Sequence, residues 1–121
     1  MKITKGLLNQ IYNLLSQAKL DKCEVKERVD IIKALRNVRG EVEAFQGFVN
    51  DVQAKNADII NAGDKEKVAE LNRIIAEEAN KPIETEGVAM LTEDAVMHLL
   101  ESNGDWNAAV VMAVEDVFLK E

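Results

Sequence analysis

Asp94, His98 and Glu101 stand at i, i+4 and i+7, so on a helix they share one face and could offer two carboxylates and an imidazole to zinc or iron. A protein-built metal site draws ligands from more than one element and holds them with a second layer of hydrogen bonds, and no further Glu-x-x-His stands elsewhere in the chain. The expectation is a solvated helix face without a metal. Glu77 with Glu78, and Glu115 with Asp116, could do acid/base work only in a cleft that splits their pKa values; their setting on polar helix faces points to solvation instead. Cys23 is the only cysteine, which excludes an intramolecular disulfide, and no His, Asn or Asp constellation accompanies it to make a nucleophile. There is no phosphate-cradling GxxxxGK[ST], no GxGxxG after a strand, no GxSxG, and one histidine in all. The chain is expected to be non-enzymatic and to carry no cofactor.

Its 121 residues suit a single domain, and 47% hydrophobic residues suffice for a core. With 4% aromatics that core must be aliphatic, and one proline with six glycines argues against an all-β fold. The net charge of −7 is unevenly spread. Residues 1–39 carry nine cations against four carboxylates (+5), residues 40–83 five against nine (−4), and residues 84–121 one against nine (−8). Such a gradient favours contact between opposite ends, within a chain or between copies. Lys26, Lys33 and Arg36 could form a basic stripe, but interspersed acids and a pI near 4.8 speak against a nucleic-acid partner. No apolar run approaches the roughly 18 residues of a membrane span, and the opening MKITKGLLNQIYNLL is too amphipathic for a signal peptide. A soluble, cytoplasmic protein without a membrane partner is expected.

Helical periodicity dominates the pattern. Thr4 suits an N-cap, followed by Leu7, Leu8, Ile11, Leu14, Leu15 and Ala18 on one face. After the turn KLDKCE, Glu24 to about Lys55 reads as one helix with a seam of Val25, Val29, Ile32, Leu35, Val38, Val42, Phe45, Val49 and Val52. At about 1.5 Å per residue it spans roughly 48 Å, far beyond the radius of gyration of about 14 Å for a compact chain of this size. It must kink, or project and pair. Gly63 suits a helix C-terminus and Asp64 the next N-cap, leading to a stripe of Val68, Leu71, Ile74 and Ile75 that ends before Pro82. KPIETEGVAML lacks helical periodicity and is expected to be extended, as a short strand or half of an intersubunit ribbon. Thr92 caps a short helix; Gly104 ends it, Asp105 caps the last, and Trp106, Ala109, Val110, Ala113, Val114 and Val117 face one way.

Gly40 and Gly47 sit seven residues apart within the long helix, each costing about 1 kcal/mol relative to alanine. If Val42, Phe45, Val49 and Val52 form the seam, both glycines lie opposite it. Two readings remain open: a second docking face, with Phe48 beside it, or a tolerated weakness that bends the helix near Gly47.

NGDWNAAVVMAV resembles the latter part of a ubiquitin-associated domain, a small three-helix binding module, over about twenty residues; the first helix of that module has no counterpart here. More broadly, KITKGLLNQIYNLLSQAKL, VKERVDIIKALRNVRGEVEAF and the acidic segment opened by LTEDA resemble small phage and prophage proteins of uncharacterised role, over some two thirds of the chain. That resemblance rests on an N-terminal helix leading into a long charged helix with Glu41, Glu43 and Phe45, and implies a virion-assembly or accessory setting.

The expected fold is all-α and one domain: an N-terminal helix and a long antiparallel helical hairpin over residues 4–80, an extended linker over 81–91, and a C-terminal helix pair over 92–121. The expected function is self-association, a homodimer favoured, with Val42, Phe45, Val49 and Val52 as the seam and Gly40, Gly47 and Phe48 on the other face. The alternative is an adaptor that receives a protein segment at the helix pair around Trp106.

Overall fold

The computed structural model describes residues 2–84 and 87–120, and these are mostly helical. The order is β1 (Lys2–Thr4), α1 (Lys5–Ser16), α2 (Val25–Lys55), α3 (Ala57–Ala62), α4 (Lys65–Ala79), β2 (Pro82–Glu84), α5 (Glu93–Ser102) and α6 (Ala108–Phe118).

Local chemistry sets most boundaries. The Thr4 hydroxyl accepts from Leu7 N at 3.2 Å, Asp64 from Lys67 N at 3.2 Å, and Thr92 from Ala95 N at 3.1 Å, each satisfying a first-turn N–H. At the start of α2, Glu27 in the third helical position reaches back to take the backbone N–H of Glu24 at 2.8 Å. The helix ends where the Asn56 side chain turns back to Val52 O at 2.7 Å, and α3 continues for six residues. Gly63 then takes a left-handed φ of 71°, open to glycine without cost, and the chain turns into α4. The last helix is capped by Asn107, whose side chain accepts from Val110 N at 3.0 Å, two residues beyond the expected Asp105. Trp106 accordingly lies in the turn before α6, its backbone N–H bonded to Asn103 O at 3.0 Å.

The linker is partly extended, as its lack of period suggests, but its strand pairs within the chain. β2 runs antiparallel to β1 with Ile3 opposite Ile83 and Thr4 opposite Pro82, and Lys5 N donates to Lys81 O at 3.1 Å. Pro82 is tolerated because a two-stranded ribbon has two free edges. At the other end Leu91, fully buried, is clamped by the chain after α6: its N–H reaches Phe118 O and its carbonyl accepts from Lys120 N, both at 2.8 Å.

One core unites Leu8, Ile11 and Leu15 of α1, Ile31, Ala34, Val38 and Val42 of α2, Leu91, Leu99 of α5, and Val114, Val117 and Phe118 of α6. In the first half of α2 packing departs from the seam read in the sequence at Val25, Val29 and Ile32 and rejoins it at Val38. Ile31, Ala34 and Val38 are at most 2% exposed, whereas Val25, Val29 and Ile32 are 74%, 41% and 49% exposed. Fully buried Ala34 lacks the bulk that would hold neighbours away, which makes its face the one on which other elements close. In α6 the buried face is likewise rotated toward Phe118, leaving Ala109 exposed.

Candidate interaction surfaces

The residues expected to carry interaction divide between inside and outside. Val42 and Phe45 are 2% and 8% exposed within their own chain, while Val49 and Val52 are half-buried. Val49 lines a cleft with Asn9, Phe45 and Ile75, and Val52 another with Ile60, Val68 and Leu71, so this side of α2 faces α1, α3 and α4. The Gln46 amide donates to Asn9 at 2.9 Å and fastens α2 to α1 at the edge of the first cleft. Phe48 is half-buried.

Gly40 and Gly47 lie on the solvent side of an unbroken α2, and a Cβ built at either would meet nothing within 4 Å. At 100° per residue they continue the line of Val25, Val29 and Ile32, through Arg36 and Glu43, to Asn50 and Ala54. Every one of these residues is exposed. The sequence pattern runs Val25, Val29 and Ile32 into the seam by steps of three and four, but at 100° per residue they lie across the helix from Val42, Phe45, Val49 and Val52.

A second feature concerns where burial stops. Beyond Phe45 no described residue is buried until Val88, so the end of α2, all of α3 and all of α4 form an arm with half-buried contacts and no core of its own. Its fastening lies near the body. Lys5 and Lys81 both pair with Glu78 at 2.7 Å, holding that carboxyl below the usual carboxylate range chiefly through the hydrogen bond from Lys5. Further out, Arg73 pairs with Glu70 and Glu77 on the exposed side of α4.

Trp106 is half-buried against the core and lines a cleft with Leu14, Ala18 and Asn103. A neighbouring apolar groove runs between Leu7, Ile11 and Leu14 of α1 and Ala109, Val110 and Ala113 of α6.

Two of the residues that could do chemistry, His98 and Cys23, have defined surroundings. His98 Nδ1 lies 2.7 Å from Oε1 of Glu27, away from any metal-binding arrangement with Asp94 and Glu101; among the described residues no three His, Cys, Asp or Glu side chains converge as a metal set. The Glu27 hydrogen bond raises the His98 pKa above its ordinary value. The pair borders a cleft of about 240 Å³ with Glu24, Lys26, Asp30, Asp94 and Lys120 at its rim. Burial, and then the Glu27 charge, push the Cys23 thiol up, which favours its protonated form.

Along the Trp106 cleft is a clamp that no local signal announced. Asn103 donates from Nδ2 to Lys19 O and Leu99 O and accepts Lys19 N at Oδ1, all at 2.9 Å, while Ser102 Oγ accepts from Lys22 N at 2.9 Å. The turn between α1 and α2 is thereby fixed to the C-terminus of α5. No helix of the described residues is long and apolar enough to cross a membrane. Comparison of the chain with protein families, with curated proteins and with solved structures returned no match.

Proposed function

We propose that this chain is a non-enzymatic self-association protein, working as a homodimer joined through α2, in the assembly or accessory role that its resemblance to small phage proteins implies. The observation that carries the reading is the arm from Gln46 through α4, which extends without one buried residue while Val25, Val29 and Ile32 stand uncovered on the same long helix. At 31 residues α2 measures about 46 Å at 1.5 Å per residue. A helix of that length needs an apolar face covered along it to be stable in water, because most helix stability comes from packing. Its Val42 side is covered by its own chain; the open side is the one that includes Gly40 and Gly47. The long helical hairpin is, in this reading, a scaffold that presents that open side.

Sedimentation velocity over a wide concentration range tests this. A mass of twice 13.5 kDa that falls toward one chain on Val29→Asp or Ile32→Asp, with helicity retained, supports the proposal. A chain that stays monomeric at every concentration overturns it. The adaptor reading around Trp106 has less support, since the indole packs against the core as a structural side chain does.

A further inference from the structure

Resting on that reading, we infer that the occupant of the open face of α2 is the same face of a second copy, running antiparallel, in one register fixed by Arg36 against the partner's Glu43. The face reads, in order, Val25, Val29, Ile32, Arg36, Gly40, Glu43, Gly47, Asn50 and Ala54. Turned end for end upon itself, it sets Arg36 against the partner's Glu43, Ile32 against the partner's Gly47, Val29 against the partner's Asn50 and Val25 against the partner's Ala54. In a two-fold interface each such contact occurs twice, once from each side. Each large apolar side chain then meets a small or short one, and the first half of each helix covers the solvent side of the other's second half.

Charge decides between orientations. Residues 25–39 hold five cations against two carboxylates, and residues 40–55 three carboxylates against one cation. A parallel pair would align like with like and set Arg36 beside Arg36 and Glu43 beside Glu43. The antiparallel pair sets the cationic half on the anionic half. Arg36 has no ion-pair partner among the described residues, and Glu43 is 67% exposed with only a 3.5 Å contact to Arg39, so both are free to pair across the interface. A central polar pair of this kind specifies register in paired helices, because any slip leaves a charge buried without its counterpart. Gly40, beside the two-fold axis, lets the two helices approach there, while Arg39 at the edge of the face stays with Glu43 of its own chain.

Complementary charge reversal tests the register. Arg36→Glu alone and Glu43→Arg alone each place like charges together twice and are expected to weaken dimerisation at least tenfold by sedimentation. An equimolar mixture of the two variants regains wild-type dimer mass. In the mixed pair the introduced carboxylate meets the introduced guanidinium at one site, and native Arg36 meets native Glu43 at the other. Mixed Ile32→Cys and Gly47→Cys chains are expected to cross-link on oxidation, while neither does so alone. Failure of the mixture to restore the dimer, or cross-linking of Gly47→Cys with itself, overturns the register; if Ile32→Asp still dissociates the dimer in that case, self-association through this face stands on its own. A wild type that is monomeric throughout overturns both.

Discussion

Oε1 of Glu27 serves two partners at once, the ring nitrogen Nδ1 of His98 at 2.7 Å and the backbone N–H of Glu24 at 2.8 Å, and so ties α5 to the first turn of α2. The first contact is charge-dependent and the second is not. Because His98 is the only histidine, its ring protons give one clean NMR titration. The folded pKa is raised, above all by the Glu27 hydrogen bond, so the pair's contribution to stability is fully present below the unfolded value of about 6.5 and is lost as pH rises through the higher folded value. Glu27→Gln keeps an acceptor for Glu24 N and removes the charge. The His98 midpoint is expected to fall in that variant; an unchanged midpoint would mean that the contact is not formed in solution.

Asn103→Ala removes three hydrogen bonds, two of them to the backbone of Lys19 in the turn before α2. At about 1 kcal/mol net for each bond, a loss of roughly 2 to 3 kcal/mol in urea unfolding is expected. Amide exchange near Lys19 and Lys22 should quicken first. A loss without local exchange at that turn would place the effect elsewhere.

These two sites mark the limit of what the chain's pattern disclosed. Caps at Thr4, Asp64 and Thr92 and the turn at Gly63 were legible because an acceptor or a left-handed φ acts on residues within one turn. The Asn103 clamp and the Glu27–His98 pair join residues more than seventy positions apart, and no local spacing encodes them. β1 was missed for the same reason: three residues form a strand only because Pro82–Glu84 comes back to meet them. Val25, Val29 and Ile32 join Val38 and Val42 in one seam by steps of three and four, yet at 100° per residue they lie on the other side of the helix, and packing buries Ile31 and Ala34 beside Val38 instead. That exposed series is the strongest part of the candidate surface.

Phe45 lets folding and the proposed association be tested apart. It is 8% exposed and borders the cleft shared with Asn9 and Ile75, so Phe45→Ala opens a cavity inside one chain. A cost of about 3 to 5 kcal/mol is expected. Under conditions where the variant remains folded, its dimer mass by light scattering should match the wild type. A folded but monomeric Phe45→Ala would return the association seam to the Val42 side.

Glycines of α1 and α2 should respond with opposite sign. A Cβ at Gly6 would lie 3.0 Å from Ala79 Cβ and 3.2 Å from Ala79 O, where α1 crosses the end of α4 beside the β1–β2 ribbon. Neither the carbonyl nor the chain behind it can move aside cheaply, so Gly6→Ala is expected to lower the melting temperature. In dilute solution, where the chain is monomeric, Gly40→Ala enters open space and gains helix propensity of about 1 kcal/mol, raising it. Equal responses would contradict the close approach at Gly6.

Gly47 allows stability and association to be read against each other. In dilute solution Gly47→Ala adds a methyl group to open space and is expected to raise monomer stability by about 1 kcal/mol, as at Gly40. In the antiparallel pair the same methyl group lies under the partner's Ile32, where there is no slack for it, and the dimer should weaken. Thermal melts at low concentration and sedimentation at high concentration therefore move in opposite directions for one substitution. If both improve, the partner's side chain is not seated over Gly47, and the glycine is a propensity cost unconnected with pairing.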